Sequence, residues 1–417
     1  MSKLRVFETF AGIGAQHKAL EILKENVEGF DYKIAGTSEW DIWANLSYNA
    51  IHHNNKNIAE KLGDDEINNF IAKYTLSNDG KKPAYEKFIL RQPRKVRELL
   101  YSSLINCNNQ GSILEITGKT LINNIGEFDL LTYSFPCQDL SVAGSFHGFN
   151  QGMAKGSNTR SGLLWEIERI LKELKKLNKL PKYLLLENVK NMISNKHKDD
   201  YIEWLEFLAF LGYETKTYIL DASKYGIPQK RKRVFAISIL KNEEILLDIE
   251  NFINDSDDIE DVSKEFKINK QLKKILKINY SIQKYKNEAK ICSPNNTPSR
   301  RKMYKENPKI FQIIKGEHRY LSFVRTITIK QDRHPNAGIV VLKETEIIKE
   351  LEKTGKSNYR FLTPRETFLL MGFTEDDFEK VTVFNKRKEI LYRQAGNSIA
   401  VNVLVALFNN MMKEGKK

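Results

Sequence analysis

The sequence predicts an α/β fold: a doubly wound, mostly parallel sheet with a second, smaller domain. Three observations carry that reading. Apolar runs alternate with helical periodicity from residue 4 to residue 240, as in repeated strand–helix–strand units. A glycine-rich turn, Phe10-Ala11-Gly12-Ile13-Gly14, joins the first run directly to a helix. After Leu240 the alternation stops, and residues 241 to about 355 are rich in Lys, Asn and Ile, with only short strand-like runs. The expected division is a first domain at 1–240, completed by about 390–417, and a second at 241–389. The return is expected because no helix precedes the first strand.

The first strand is expected at 4–8 and the first helix at 16–25. Glycines between them let a backbone approach a ligand closely. A second strand at 32–38 ends at Glu39-Trp40, where an acidic residue can hold ribose hydroxyls and an indole can stack on adenine. The glycine turn alone could equally be a plain tight turn; its pairing with Glu39-Trp40 strengthens the cofactor reading. The spacing is not Gly-x-Gly-x-x-Gly, which argues against NAD. Residues 64–110 read as a polar, basic, helical insertion.

The third strand, 128–133, runs into Tyr-Ser-Phe-Pro-Cys-Gln-Asp-Leu-Ser over residues 133–141, the most informative stretch of the chain. A strand stopping at Pro136-Cys137 presents a thiol at the carboxyl edge of the sheet, where open α/β folds hold ligands. A lone Pro-Cys would be weak evidence, since cysteine is often a small buried hydrophobe. Residues 138–160, dotted with Gly144, Gly148, Gly152 and Gly156, fit a mobile loop in which Lys155 and Arg160 can meet phosphate. A helix at 163–177 leads to a strand at 182–186 ending at Glu187-Asn188, so that thiol and carboxyl converge at one sheet edge. Another helix follows, then strands at 214–220 and 233–240. Gln229-Lys230-Arg231-Lys232-Arg233 precedes the last strand, with alternate basic side chains on one face; by itself it reads as a solvated patch. In the second domain Thr363-Pro364-Arg365-Glu366 opens a helix, with Thr363 as N-cap, proline at N1 and Glu366 closing a capping box. The last helix is expected at 399–412.

At 417 residues the chain can bury a large core. Its three cysteines, Cys107, Cys137 and Cys292, are widely spaced, which argues against a disulfide framework and against a CxxC zinc site. No secretory h-region or bilayer-length apolar run appears, so a cytoplasmic protein without membrane contact is expected. The formal net charge of +14 suits a polyanionic partner, although a lysine- and asparagine-rich proteome would give the same balance.

Taken together, Phe-x-Gly-x-Gly, Pro-Cys-Gln, Glu-Asn-Val, Gln-x-Arg-x-Arg and Gly396-Asn397-Ser398 resemble the DNA cytosine-5 methyltransferases in order and spacing. Residues 133–141, 159–168 and 181–189 look especially like the mollicute CG enzymes, of the bacterial restriction-modification type. The resemblance spans nearly the whole chain except 241–355, where that family varies. Glu8 stands where most members have Asp, Ala15 where many have a third glycine, and Glu115 replaces an Asp that usually meets the cofactor adenine.

The resemblance implies S-adenosyl-L-methionine as cofactor, S-adenosyl-L-homocysteine as product, no metal, and the sheet of that methyltransferase type. It implies cofactor contacts at Phe10, Ala11, Gly12, Gly14, Glu39, Trp40, Glu115, Ile116, Pro136, Asn397 and Ser398. Cys137 would be the nucleophile, Glu187 the group at ring N3 and Arg231 the group at the O2 edge of a flipped-out cytosine. Gln138, Ser141, Arg160, Asn188, Gln229 and Arg233 would serve DNA or the base pocket. The partner would be double-stranded DNA, bound by a cytoplasmic, nucleoid-associated monomer, with a cognate restriction endonuclease as a further expected partner. Residues 295–301 and 325–333 are the expected groove or backbone contacts. The nearest alternative is an RNA (tRNA) cytosine-5 methyltransferase, whose Cys-Phe-Thr segment is not found here. A nucleotide-dependent oxidoreductase and a non-catalytic DNA-binding protein are weaker, because neither needs Cys137, Glu187 and Arg231 together.

Overall fold

The computed structural model describes residues 3–137, 139–140, 152–156, 159–241, 245, 247, 249–342 and 345–414. From the N-terminus the elements are β1 (Leu4–Thr9), α1 (Ala15–Asn26), β2 (Tyr32–Ser38), α2 (Ile42–His53), α3 (Asp64–Ile71), α4 (Glu86–Leu90), α5 (Arg94–Asn106) and α6 (Gly118–Ile125). They continue with β3 (Leu130–Tyr133), α7 (Leu164–Lys176), β4 (Tyr183–Val189), α8 (Lys198–Phe210), β5 (Tyr213–Asp221), β6 (Gln229–Lys230) and β7 (Lys232–Leu240). Then come α9 (Leu272–Ile275), α10 (Gln283–Cys292), α11 (Pro298–Glu306), β8 (Lys309–Ile314), β9 (Glu317–Tyr320), β10 (Val324–Arg325) and β11 (Ile339–Val341). The chain closes with α12 (Thr345–Lys353), β12 (Tyr359–Arg360), α13 (Pro364–Leu369), α14 (Glu375–Thr382), α15 (Lys388–Asn397) and α16 (Val401–Glu414).

The fold is α/β with a six-stranded central sheet in the order β2-β1-β3-β4-β7-β5. Strands β2, β1, β3 and β4 pair in parallel, and β7 runs antiparallel to β4. Both faces are covered, so β3 is buried along its whole length. Its Leu131 and Tyr133 join Leu164, Ile167 and Leu171 of α7 and Trp204 and Leu208 of α8 in one apolar cluster. α7 presents that face because its apolar residues recur at helical spacing.

The compact units are 1–220, 232–260 and 407–417 on one side and 221–231 and 261–406 on the other. They depart from the expected boundaries for identifiable reasons. In the first unit the backbone N–H of Thr217 donates to the Asn254 side chain at 2.9 Å, and Asn254 N–H donates back to Thr217 O at 2.7 Å. In the second, β6 pairs with β10, and Val401 N–H donates to Met371 O at 2.9 Å. The chain returns to the first unit only at residue 407.

The expected capping box at Thr363 is present, with Glu366 N–H donating to Thr363 Oγ1 at 3.2 Å and Thr363 N–H to Glu366 Oε2 at 2.8 Å. Its carboxylate also receives Arg360 Nη1 and Nη2 at 2.7 and 2.8 Å, and neither side chain has any exposed surface. Lys277 N–H adds a further bond at 2.7 Å. One buried carboxylate thus fastens a helix start, a strand end and the segment after α9. The second unit's stability is expected to depend on it. Glu366→Ala should cost about 3–5 kcal/mol, the usual penalty for stranding one partner of a buried ion pair. Urea unfolding followed by far-UV circular dichroism checks this, and an unchanged midpoint would refute it.

Candidate active site

The nucleophile candidate sits in a turn whose carbonyl groups are claimed one after another. Phe135 O accepts from Asn188 Nδ2 at 3.1 Å, and Pro136 O accepts from Ser161 Oγ at 2.8 Å. Cys137 O accepts Leu140 N–H at 3.1 Å, and Leu140 O accepts Asn191 Nδ2 at 2.6 Å. The donors come from β4, from the one-turn helix Ser161–Leu163 and from the one-turn helix Lys190–Ile193. Buried backbone carbonyls need partners, and satisfying these from separate elements fixes the turn. Cys137 is half-buried, whereas Cys107 and Cys292 are buried. Burial pushes the Cys107 thiol up to about 12 and the Cys292 thiol up to about 11, so neither is reactive at neutral pH.

Glu187 and Asn188 lie inside β4 rather than beyond its end, because pairing with β7 carries the strand to Val189. Tyr133 of β3 is level with Leu186 of β4, so Cys137 and Glu187 lie toward the same edge of the sheet. Glu187 opposes Phe235 and Val189 opposes Arg233, which makes Glu187 and Arg233 diagonal neighbours on one face. Arg233 Nε lies 3.3 Å from Glu187 Oε1, with side-chain exposures of 16% and 12%. Asn188 is buried and serves the Phe135 carbonyl.

Arg231 is placed otherwise than expected. It belongs to the second unit, is buried, and donates through Nη1 to Ile327 O at 3.1 Å. Its Nη2 donates to Gly396 O and Ser398 O at 3.0 and 2.8 Å. The expected shared basic face fails because Arg231 falls in the break between β6 and β7. Gln229 is likewise a buried frame residue, not an exposed DNA reader. Its amide donates to Leu370 O at 2.9 Å and accepts Ile327 N–H at 2.9 Å. Arg231 joins two of the motifs physically, with Gly396 packed so closely that an added Cβ would lie 2.5 Å from Ile329 N. Asn397, between the two carbonyls that Arg231 holds, is exposed, and Ser398 is buried.

The glycine turn takes left-handed backbone at Phe10 (φ 53°), Gly12 (φ 57°) and Gly14 (φ 78°). Gly14 has no room for a side chain, since a Cβ would meet His52 Nε2 at 2.2 Å. Ala11 N–H donates to Ser38 O at 3.4 Å. Glu39 bridges the turn to the next helix: Oε2 accepts Gly12 N–H at 2.9 Å and Oε1 accepts Asp41 N–H at 2.7 Å. Burial, with the negative charge of Asp41 beside it, pushes its carboxyl up to about 7. Trp40 is half-buried beside it. A carboxylate holding backbone donors next to a tight turn and an indole fits a ribose-bearing cofactor. Glu115 is exposed and accepts from Thr75 Oγ1 at 2.5 Å, while Ile116 turns its side chain into the core.

Gln138 and Ser141 lie outside the described residues. Lys155, expected to meet phosphate, forms ion pairs with Glu168 at 2.8 Å and Glu203 at 3.4 Å. Arg160 is half-buried, with Cys137, Asp139 and Asp79 as its electrostatic neighbours. Among the described residues no cluster of three or more His, Cys, Asp or Glu side chains could hold a metal, and no helix is long and apolar enough to cross a membrane.

Sequence reasoning missed Ser161 and Asn191, the supports of the Cys137 turn. It also missed a buried relay under the glycine turn. Tyr48 Oη donates to Glu8 Oε2 at 2.7 Å, and His17 Nδ1 lies 2.9 Å from Tyr48 Oη. Burial pushes Glu8 up to about 7, against the opposing pull of the Tyr48 hydroxyl. The only signal was a polar residue inside an apolar run.

A model of the C-5 cytosine-specific DNA methylase family matches residues 96–413. The orphan methyltransferase M.SssI of Spiroplasma monobiae is 34% identical over 419 aligned residues, spanning 98% of this chain and 97% of that protein. The type II methyltransferase M2.ScrFI of Lactococcus lactis subsp. cremoris is also 34% identical over 419 residues, spanning 98% and 99%. Among solved structures, the Dnmt2 methyltransferase of S. pombe aligns with a TM-score of 0.59 at 19% identity, covering 100% of both chains. The Entamoeba histolytica methyltransferase EhMeth aligns with 0.57 at 17%, again covering 100% of both. At such identities these two likenesses speak for the fold alone.

The two arginines should separate in stability measurements. Arg231→Ala strands three backbone carbonyl contacts and should lose on the order of 3 kcal/mol, whereas Arg233→Ala should unfold close to wild type. Equal losses in urea titrations would contradict the assignment. Glu8 gives a pH signature. Its folded carboxyl stays protonated up to about 7 against an ordinary value of 4.5, so its contribution is complete below 4.5 and is lost as pH rises through 7. The Glu8→Gln melting temperature should therefore gain on wild type between pH 4.5 and 7; a difference that stays flat across that window would mean a charged Glu8 in the folded state.

Proposed function

The chain belongs to the C-5 cytosine-specific DNA methylase family, and on that premise we propose that it methylates a cytosine swung out of duplex DNA, through a covalent bond to Cys137. It is a DNA cytosine-5 methyltransferase with relatives named as type II and orphan methyltransferases. The observation that carries the proposal is the fixed turn holding a half-buried Cys137 at the sheet edge it shares with Glu187.

Carbon 5 of cytosine is a poor nucleophile, so the chemistry begins at carbon 6. The Cys137 thiolate adds there, forming a C–S bond and moving the ring electrons toward carbon 5. Glu187 donates to ring N3 and relieves the negative charge that develops. Arg233, paired with Glu187, is the guanidinium we assign to the O2 edge in place of Arg231. S-adenosyl-L-methionine, when bound, supplies an electrophilic methyl on a sulfonium and leaves as S-adenosyl-L-homocysteine. Phe10, Gly12, Gly14, Glu39 and Trp40 would hold it, a fit supported by the left-handed turn and the Glu39 bridge. A base then takes the carbon-5 proton, the C–S bond breaks as the ring double bond re-forms, and Cys137 departs as thiolate.

Flipping a base costs a few kcal/mol of lost stacking and pairing. We assign base reading to the second unit. Arg301, Lys302 and Lys305 are exposed on α11, and Arg300 Nη1 donates to Arg333 O at 2.9 Å, which ties residues 295–301 to residues 325–333. The working form is taken as a cytoplasmic monomer on double-stranded DNA.

Cys137→Ser should abolish methyl transfer while leaving the melting temperature and cofactor affinity near wild type. DNA carrying 5-fluorocytosine in its target site should capture the wild-type chain, with mass spectrometry placing the adduct on Cys137, because fluorine cannot leave as a proton does. Turnover by a folded Cys137→Ser protein would end the covalent account. Bisulfite sequencing of DNA from expressing cells identifies the site, and a parallel tRNA substrate should remain unmodified.

A further inference from the structure

The helical insertion 64–110 contains, between α3 and α4, a turn bonded to both ends of the reaction site. Ser77 is fully buried at its root. Its N–H donates to Trp40 O at 2.7 Å, and its carbonyl accepts Ile42 N–H at 2.9 Å. Its hydroxyl donates to Lys82 O at 2.6 Å and accepts Gly80 N–H at 2.9 Å, closing the turn on itself. Asp79 Oδ1 accepts the N–H groups of Lys81 and Lys82 at 2.9 and 3.3 Å. Asn78 Oδ1 accepts Trp43 Nε1 at 2.8 Å. These contacts bind the turn to residues 40–43, immediately after Glu39. At its tip, Gly80 O accepts Arg160 Nη2 at 2.6 Å. Ser161, next to Arg160 in the chain, donates through Oγ to Pro136 O at 2.8 Å, which holds Arg160 at the Cys137 turn, where Asp139, Asp79 and Cys137 act on its charge.

We propose that residues 75–83 form a strut that positions the Arg160 guanidinium at the Cys137 turn and ties it to the Glu39–Trp40 end of the cofactor site. This rests on the covalent reading of Cys137 given above. A guanidinium near a cysteine favours its thiolate, and the effect depends on where the cation is held. Ser77 and Gly80 are positioning residues in this account. Gly80 suits the tip because its φ is +67°, where a side chain strains the backbone, and an added Cβ would press on Asp41 Oδ2 at 3.3 Å.

The test is the rate of covalent capture by duplex DNA containing 5-fluorocytosine, at saturating DNA and cofactor, with DNA affinity measured separately. Ser77→Ala and Gly80→Ala should each slow capture by about 10-fold or more, as expected when a reacting group is misplaced. Their DNA affinity should fall no further than that of Arg160→Ala. The double variant Gly80→Ala/Arg160→Ala should be no slower than Arg160→Ala alone, because strut and arginine act through one interaction. Partial unfolding lowers the captured fraction but not the rate constant of the folded remainder, so the rate reads positioning. Slowing that multiplies in the double variant, or capture at the wild-type rate in both single variants, would overturn the strut. Absence of a Cys137 adduct in the wild type would remove the covalent reading and the strut with it. A wild-type adduct combined with a multiplicative double variant would remove the strut alone.

Discussion

The carbonyl oxygens flanking Cys137 are the constraint on which the chemistry depends. A strand that ends in a turn at a sheet edge leaves its last carbonyls without ladder partners, and water would otherwise compete for them. Asn188, Ser161 and Asn191 supply the missing donors from two stretches of chain remote in sequence from Cys137. Each such bond contributes only about 1 kcal/mol of net stability. Their joint effect is geometric, because a turn held at residues 135, 136 and 140 has few ways to move the sulfur between them. Asn188 is therefore a clamp on the backbone that leads to Cys137, the proposed nucleophile.

Much of this was legible in the sequence because it is local. Strand and helix positions follow from periodicity, and the Thr363–Glu366 box is a four-residue signal that the structure reproduces. The strand end before Cys137 and the turn at Gly12 and Gly14 were legible for the same reason. The arginine assignment was not. Arg231 and Arg233 look interchangeable in an alternating basic run, and what separates them is a two-residue strand ending at Lys230 and partners as distant as Ile327, Gly396 and Ser398. The turn at Ser77 carries no motif of its own, since its partners at Trp40, Ile42 and Arg160 are remote in sequence. The burial of Glu8 was hidden as well, because only the packing of α2 against β1 brings Tyr48 to it.

Arg231 also explains why two motifs far apart in the chain travel together. The carbonyls on either side of Asn397 are held by a guanidinium located more than a hundred residues earlier. Gly396 tolerates that arrangement because it lies against the backbone of Thr328 and Ile329 with no space for a Cβ. Asn397 is left exposed between the two carbonyls that Arg231 holds. The second unit thus holds buried guanidinium groups of different kinds: Arg360 and Arg365 are neutralised by carboxylates, and Arg231 is dispersed over neutral carbonyls.

The three cysteines have a consequence for how the molecule ages. Cys107 and Cys292 are sealed in the interior with their thiols held protonated, so electrophiles and peroxides that react with thiolates find neither of them. Cys137 alone is within reach. Toward an oxidant or an alkylating reagent the chain behaves as a protein with a single thiol, and that thiol is the proposed nucleophile. Loss of activity under oxidative stress should then be stoichiometric with one modification per molecule, and the unmodified fraction of Cys137 becomes a direct count of surviving enzyme.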